Sequence, residues 1–323
     1  MNSARYGLMG KAPLSFNVPK KLCNKSIVIS RYRDIKGISE NMKAIAEFRV
    51  PESYAREFLP AEVGKNITDT VRRVRAPVGS ELYEKIGEIY KLVKSRDQKY
   101  FFLGWNVQRN YSKKEVESAE LLLLKIARTF EPAGLECGTI YDDQNTCEIC
   151  GTGIRQMSDL ILDLNTIPRN VNIARTISNE IVINQEFAKT LIDNNVTGYK
   201  LGLVHHKSKS TRSSIKTWHQ LIVNSLVKVN PATSTGEDPF EEDKDNIYRC
   251  KNGHTFGWDL LSELSIDKDS WNGSDIVATK ELLGVNRGLL RTYPLLLISQ
   301  RLYRLMKEKE CKGFTVEVVK LVD

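Results

Sequence analysis

The sequence predicts an α+β protein, and three observations lead to that prediction. Apolar residues recur at helical spacing in residues 1–136, Cys and His residues pair in short turns within 137–323, and one strand–helix–strand pattern occurs twice. We therefore expect a helix-rich N-terminal region (1–136), followed by a zinc-clasped region (137–323) with two β-α-β-like repeats.

Three segments of the N-terminal region predict helices. The first opens at Pro51-Glu52-Ser53 and ends at Pro60, since proline suits the start of a helix and not its interior. The second runs from Ser80, a favourable N-cap, to about Lys94. The third opens with a Ser112–Glu115 capping box and is predicted to continue to Phe130.

The internal repeat comprises residues 180–204 and 295–319, which align without a gap at an offset of 115. Each copy reads as an apolar strand, a polar cap residue, an amphipathic helix, a glycine and an alternating strand. Gly198 and Gly313 fall where a helix C-terminus favours a left-handed residue. Any two strand–helix–strand segments share some likeness, but the ungapped register favours a duplication.

Four residues have the spacing of one metal site. Cys147 and Cys150 are separated by two residues and followed by a glycine, whereas Cys250 and His254 are separated by three. Each pair fits a tight turn that directs two donors at one point. Three thiolates and an imidazole form a closed tetrahedral shell, which suits a structural zinc ion (Zn2+). Each pair precedes one repeat, so packing of the two copies side by side would bring the pairs together.

Other interpretations of these cysteines stay open. A free cysteine is often a small buried hydrophobe, and a Cys-x-x-Cys pair can be a redox centre. Cys137 is close enough to Cys147 in the chain to be a rival ligand. About a hundred residues separate the two pairs, far more than in a compact zinc finger, so the fold must bring them together.

Composition narrows the class of protein. Hydrophobic content of 41% and charged content of 27% are typical of a soluble globular protein. No apolar run reaches the ~20 residues of a membrane span, and no secretory signal is recognisable. We therefore expect no membrane partner and a cytoplasmic location, where thiols stay reduced.

The net charge of +8 originates in residues 1–136, which contain 25 Lys and Arg against 16 Asp and Glu. The basic clusters are Lys20-Lys21, Arg31 with Arg33, and Arg72-Arg73 with Arg75. Such an asymmetry can mark a surface for nucleic acid or an acidic protein. Scattered solvated charges are the simpler interpretation.

No familiar catalytic motif is present. The chain lacks a P-loop, a dinucleotide fingerprint, His-Glu-x-x-His, a Gly-x-Ser-x-Gly elbow and the His-x-Glu segment of zinc deaminases. The best scattered candidates for catalysis are Asp142, His205, His206 and His219. Each has an ordinary structural interpretation, so we expect a non-enzymatic protein.

The pattern resembles bacterial double-CXXCG-motif proteins, which are grouped with immunity proteins of polymorphic toxin systems. The resemblance lies in the segment 131–138, in Cys147-Glu-Ile-Cys-Gly151, in Cys250-Lys-Asn-Gly-His254 and in the two repeats, and it covers roughly residues 131–323. The second motif departs from the family pattern, because Cys-x-x-x-His replaces Cys-x-x-Cys-Gly. The resemblance implies a cytoplasmic binding protein that neutralises a toxin and has no catalytic residues. The alternative is a zinc-stabilised nucleic-acid-binding protein that uses the basic N-terminal region.

Overall fold

The computed structural model describes residues 43–208, 217–284 and 286–323. Strands make up 39% and helices 20% of them, so the protein is mostly β-sheet. The prediction of an α+β fold with a helix-rich N-terminal region is wrong. The helices are α1 (Glu52–Phe58), α2 (Glu81–Asp97), α3 (Lys113–Ser118), α4 (Gly134–Cys137), α5 (Gln185–Asp193) and α6 (Gln300–Glu308), with a 3-10 turn at Lys268–Ser270.

The strands form several sheets joined by short connections. In chain order they are β1 (Lys43–Pro51), β2 (Lys65–Thr68), β3 (Val71–Pro77), β4 (Gly104–Asn110), β5 (Leu121–Ile126), β6 (Thr129–Phe130), β7 (Tyr141–Asp142), β8 (Arg155–Gln156), β9 (Leu160–Leu162), β10 (Ile173–Thr176), β11 (Ile181–Asn184), β12 (Tyr199–His206), β13 (Trp218–Val223), β14 (Leu226–Val227), β15 (Thr235–Asp238), β16 (Glu241–Glu242), β17 (Thr255–Gly257), β18 (Asp259–Leu260), β19 (Ser265–Asp267), β20 (Ile276–Leu283), β21 (Tyr293–Ser299), β22 (Phe314–Val318) and β23 (Lys320–Val322). None of the described helices combines the length and apolarity that a bilayer crossing requires.

The N-terminal layer is an antiparallel sheet in the order β2-β3-β1-β4. In β1 the alternating residues Ala46, Phe48 and Val50 are buried, which is the period-2 pattern of a strand with one covered face. Helix α2 packs into the same core. It begins at Ser80, whose Oγ accepts a hydrogen bond from the Tyr83 N–H at 3.3 Å.

The third predicted helix is much shorter than expected, and this accounts for part of the wrong fold class. The Ser112–Glu115 capping box is present, but α3 ends at Ser118. The four leucines 121–124 instead begin β5, which lies between β21 and β22 and is buried on both faces. A short continuous apolar run fits a buried strand and a buried helix equally well, so its pattern does not distinguish them.

Both repeat segments form strand–helix–strand units, β11–α5–β12 and β21–α6–β22. The two strands of each unit are not neighbours. Strand β13 pairs antiparallel with both β11 and β12, and β5 does the same with β21 and β22. Each unit is therefore a split β-α-β motif, whose helix crosses over one intervening strand.

The duplication is longer than the two repeat segments. Strands β6 and β14 follow β5 and β13 at the same interval, and each pairs in parallel with the strand before a unit, β10 or β20. Equivalent hydrogen bonds follow: Ala127 N–H donates to Gly313 O at 2.9 Å, and Asn224 N–H donates to Gly198 O at 3.1 Å. Two copies thus span roughly 121–206 and 218–322, and each contributes its first strand to the sheet of the other.

The two copies share one apolar core. Phe187 and Leu191 of α5 lie in the same buried cluster as Leu302 and Met306 of α6, which are their equivalents at an offset of 115. Burial of apolar surface common to both copies joins them into one folded body.

Candidate metal centre

Cys147 and Cys150 lie in a turn between β7 and β8. The Cys147 N–H donates to Thr152 O at 2.7 Å, and the Gly151 N–H donates to Cys147 O at 2.8 Å. Gly151 has a φ of +73°, a left-handed conformation that glycine adopts without steric cost. Hydrogen bonds from the backbone N–H groups of Cys150 and Ile149 lower the pKa of the Cys147 thiol to about 6. The turn thus favours a thiolate before any metal is considered.

Cys250 and His254 lie in a second turn, between β16 and β17. The Gly253 N–H donates to Cys250 O at 2.9 Å, and Gly253 has a φ of +76°. The Thr255 hydroxyl accepts from the Cys250 N–H at 2.5 Å. The Leu282 N–H of β20 donates to His254 O at 2.7 Å. Strand β20 therefore fixes this turn in place.

The two turns meet. The donor atoms of Cys147, Cys150, Cys250 and His254 all lie within 4.8 Å of one another. Cys147 Sγ is 3.7 Å from Cys250 Sγ, and His254 Nδ1 is 3.6 Å from Cys150 Sγ and 3.7 Å from Cys250 Sγ. A tetrahedral ion with metal–sulfur bonds of about 2.3 Å and a metal–nitrogen bond of about 2.0 Å separates its ligands by roughly 3.5–3.8 Å. The four side chains could therefore hold one metal ion.

Each copy of the duplication supplies two of the four donors. This explains how residues about a hundred positions apart in sequence reach one point: the exchange of first strands and the shared core bring equivalent turns together. A hydrogen bond from Thr292 Oγ1 to Cys150 O at 2.7 Å ties the first turn to the chain just before β21. The cluster thus lies where the two copies meet, apart from their shared apolar core, and two of its cysteines, Cys150 and Cys250, are buried.

Polar neighbours surround the sulfur atoms. Thr152 Oγ1 lies 3.0 Å from Cys150 Sγ, and Asn252 Nδ2 donates to Cys147 Sγ at 3.5 Å. Burial raises the pKa of the Cys150 thiol, in contrast to Cys147. A cation at this site would favour the thiolate form of every cysteine, because only deprotonated sulfur is a good ligand.

The other two described cysteines, Cys137 and Cys311, are not part of the cluster. Cys137, the predicted rival ligand, ends α4 and is not among the clustered donors. Cys311 packs against the shared core, where burial raises the pKa of its thiol to about 11. Cys23 lies outside the described residues.

The residues considered for catalysis make ordinary structural contacts. His206 Nδ1 accepts from the Leu164 N–H at 3.2 Å, and Asp142 Oδ1 accepts from the Gln144 N–H at 3.0 Å. His205 Nε2 lies 2.9 Å from Asp159 Oδ2, and His219 Nε2 lies 2.6 Å from Gln185 Oε1. None of them belongs to the metal cluster.

The basic cluster that lies within the described residues is divided between the core and the surface. Arg72 is buried and bonded to Glu52 through Nη2 at 2.6 Å and Nε at 2.9 Å, so it is part of the core. A row of exposed cations that the sequence did not reveal crosses the sheet instead: Arg73 is the register partner of both Arg49 and Lys65. Only the strand register brings them together. Lys20-Lys21 and Arg31 with Arg33 lie outside the described residues.

No protein-family model matches the chain, and no curated protein is significantly similar to it.

Proposed function

We propose that the protein is a non-enzymatic, zinc-stabilised binding protein whose target is another protein, and that its role is to neutralise a toxin in the cytoplasm. The observation that carries the proposal is the convergence of Cys147, Cys150, Cys250 and His254 from the two copies.

The donor set supports zinc and a structural role. Soft thiolates together with imidazole favour Zn2+ over the hard cations, which prefer oxygen. Four protein donors complete a tetrahedral shell and leave no position for water or substrate. Catalytic zinc sites keep such a position open. The shell therefore favours an ion that holds two turns in place.

Apolar side chains on the metal-holding turns support a protein partner. Ile149, between Cys147 and Cys150, is 56% exposed, and Ile247, three residues before Cys250, is 72% exposed. An exposed aliphatic side chain that enters a pocket of the partner can anchor a protein interface. The resemblance to immunity proteins suggests a toxin as the class of partner.

The test is to purify the tagged chain from its native cells with zinc in all buffers and to identify what co-purifies, with the product of the neighbouring gene as the first candidate. The affinity of the purified chain for its purified partner is then measured by titration. In a separate experiment, the chain is co-expressed with its partner and the survival of the host cells is measured. We expect a stable complex and rescue of growth.

Single substitutions locate the interface. Ile149→Ser and Ile247→Ser should each weaken binding by roughly fivefold or more, because an apolar anchor that becomes buried on binding contributes more than about 1 kcal/mol. The matched control is Ile67→Ser, which alters an exposed isoleucine on β2. Equal losses in all three variants, or no co-purifying protein in the presence of zinc, would contradict the proposal.

The row formed by Lys65, Arg73 and Arg49 favours one second candidate, a nucleic-acid-binding protein. Like charges directly opposite one another on a sheet are destabilising, and a phosphate backbone would relieve that repulsion. This candidate predicts retention on single-stranded or double-stranded DNA or RNA that falls steeply with salt. Arg49→Gln with Arg73→Gln should reduce it, whereas the exposed control Arg304→Gln should not. Absence of retention at low salt would remove this candidate.

A further inference from the structure

A cavity of about 300 Å³ lies where three sheets meet. Its walls come from β4 of the N-terminal sheet, β5 and β21 of the second copy's sheet and β10 of the first copy's sheet. Trp105, Leu123, Ile181 and Leu295 supply apolar surface. Ligand pockets span about 300–1,000 Å³, so the volume suits a small molecule and not a peptide.

The charged groups of this cavity do not balance. Glu317 accepts from Arg109 Nη1 at 3.0 Å and from Lys125 Nζ at 2.7 Å, so one carboxylate serves two cations. Arg109 is further occupied by the carbonyl groups of Leu260 and Leu261, at 3.1 and 2.8 Å. These three side chains together leave one net positive charge in the wall.

Arg175 adds a second cation, whose contacts are with neutral groups. Asp259, the other carboxylate in the wall, offsets one of these charges, so the lining keeps one net positive charge. Arg175 Nη1 donates to Asn179 Oδ1 at 2.9 Å, and its guanidinium carbon lies 5.5 Å from the centroid of the Tyr293 ring. Its Nε is buried and lacks a hydrogen-bond partner within the described part of the chain. Among the described residues, no carboxylate forms an ion pair with Arg175. A buried charged donor without an acceptor is rare in folded proteins and suggests an additional group.

We propose that this cavity binds a small organic anion, with its carboxylate or phosphate on Arg175 and its apolar body against Trp105 and the leucine side chains. The guanidinium is a planar fork that matches either oxyanion, and Asn179 and Tyr293 hold it in position. The site is separate from the metal centre and independent of the proposed partner.

Asp259 suggests a second group that the ligand carries. It lines this cavity together with an adjoining one of about 290 Å³, which Arg175 and Tyr293 also line. Burial raises the pKa of Asp259 to about 6, so the carboxylate is ionised at neutral pH and gains from a hydrogen-bond donor. An anion that also bears an N–H or O–H group fits both Arg175 and Asp259.

The test uses the zinc-loaded full chain and isothermal titration. The phosphate arm consists of AMP, GMP, CMP and UMP, and the carboxylate arm of L-phenylalanine, L-tryptophan and phenylpyruvate; inorganic phosphate and acetate represent the head groups alone. At least one organic anion should bind with a Kd below about 1 mM and more tightly than its head group. Arg175→Met should weaken that binding at least about tenfold, whereas Arg169→Met, at an exposed arginine outside the cavity, should change it less than about twofold.

Thermal unfolding supplies the second measurement. Without ligand, Arg175→Met should melt close to the wild-type temperature, because removal of the buried, unpaired Nε offsets the lost hydrogen bond to Asn179 and the lost contact with the Tyr293 ring. It should also lose the rise in melting temperature that the ligand gives the wild type. If Arg175→Met does not fold, Arg175→Lys, which keeps the charge and loses the fork, takes its place in the binding test. The proposal is overturned if no organic anion binds the folded wild type, or if the tested Arg175 variant binds as well as the wild type.

Discussion

The Asp275 carboxylate accepts a hydrogen bond from the Thr197 N–H at 3.0 Å, across the boundary between the two copies. The equivalent contact joins Asn172 Oδ1 to the Lys312 N–H at 2.8 Å. In each bond, a side chain of one copy accepts from the residue just before a glycine of the other copy, Gly198 or Gly313. These glycines directly precede β12 and β22 and do not end the helices, because α5 ends at Asp193 and α6 at Glu308. Asp275 and Asn172 occupy equivalent positions in the two copies, but only Asp275 carries a charge. A substitution at one residue is therefore a control for a substitution at the other.

The first prediction concerns the stability that these two residues contribute. Asp275 is buried, but hydrogen bonds from Arg301, Ser299 and Thr197 outweigh that burial and hold the pKa of its carboxyl below the usual range. Asp275→Asn should lower the free energy of unfolding by roughly 1.5–3 kcal/mol at pH 7, which is the range for hydrogen bonds to a charged group. Asn172→Ala should cost about 1 kcal/mol, as for a neutral hydrogen bond. Chemical denaturation measures both.

The pH dependence of these two variants separates charge from packing. Because folding lowers the pKa of Asp275, its contribution is complete above the unfolded pKa of about 3.9 and is lost as the pH falls through the lower folded value. The stability difference between wild type and Asp275→Asn should therefore shrink below about pH 4, whereas the Asn172→Ala difference should not. A constant Asp275→Asn difference from pH 7 to pH 3 would refute this assignment.

The second prediction concerns Gly87, in the middle of α2. A methyl group there would lie 2.8 Å from the Phe240 ring, which also contacts the rings of Phe48 and Tyr83. Gly→Ala in a helix normally stabilises by about 1 kcal/mol, but overpacking costs about 1–3 kcal/mol. Gly87→Ala should therefore lower the free energy of unfolding. In a Phe240→Leu background the same change should become neutral or stabilising, and an equal loss in both backgrounds would contradict the packing explanation.

The third prediction concerns the ion pair between the N-terminal sheet and the second copy. The side chains of Arg109 and Glu317 are 3% and 7% exposed, with Nη1 and Oε2 3.0 Å apart. Arg109→Met should cost about 3–5 kcal/mol, because the buried carboxylate then keeps only Lys125. The control is Lys113→Met, at an 86% exposed residue that pairs with Glu117; it should cost less than about 0.5 kcal/mol. Similar midpoints of urea unfolding for the two variants would show that the buried ion pair does not contribute to the stability of the fold.

The sequence predicted which four Cys and His residues lie together and that both repeat segments are strand–helix–strand units, but not the topology. Short-range spacing identified Cys147, Cys150, Cys250 and His254, because a turn is a local structure. The earlier part of each copy escaped detection, because insertions change the offset from 97 at β5 and β13 to 115 at the helices, so no constant register remains. The pairing of β5 with strands of the second copy joins residues far apart in sequence. The apolar run of β5 does not indicate which strands it will pair with.

The fourth prediction concerns the role of the metal in folding. Cys150→Ser should abolish stable metal binding and strongly lower the melting temperature, because a structural zinc site contributes on the order of 10 kcal/mol of apparent binding free energy. Cys137→Ser, outside the cluster, should retain the metal. A chelator should destabilise the wild type and have little effect on the Cys150→Ser variant. A melting temperature unchanged by Cys150→Ser would count against a stabilising metal.

The most direct measurement is the metal content of the purified chain, together with X-ray absorption at the zinc edge. The account predicts one zinc per chain, surrounded by three sulfur atoms at about 2.3 Å and one nitrogen atom at about 2.0 Å. Metal-free protein that is fully folded, or a zinc shell with an oxygen ligand or fewer than three sulfurs, would contradict it.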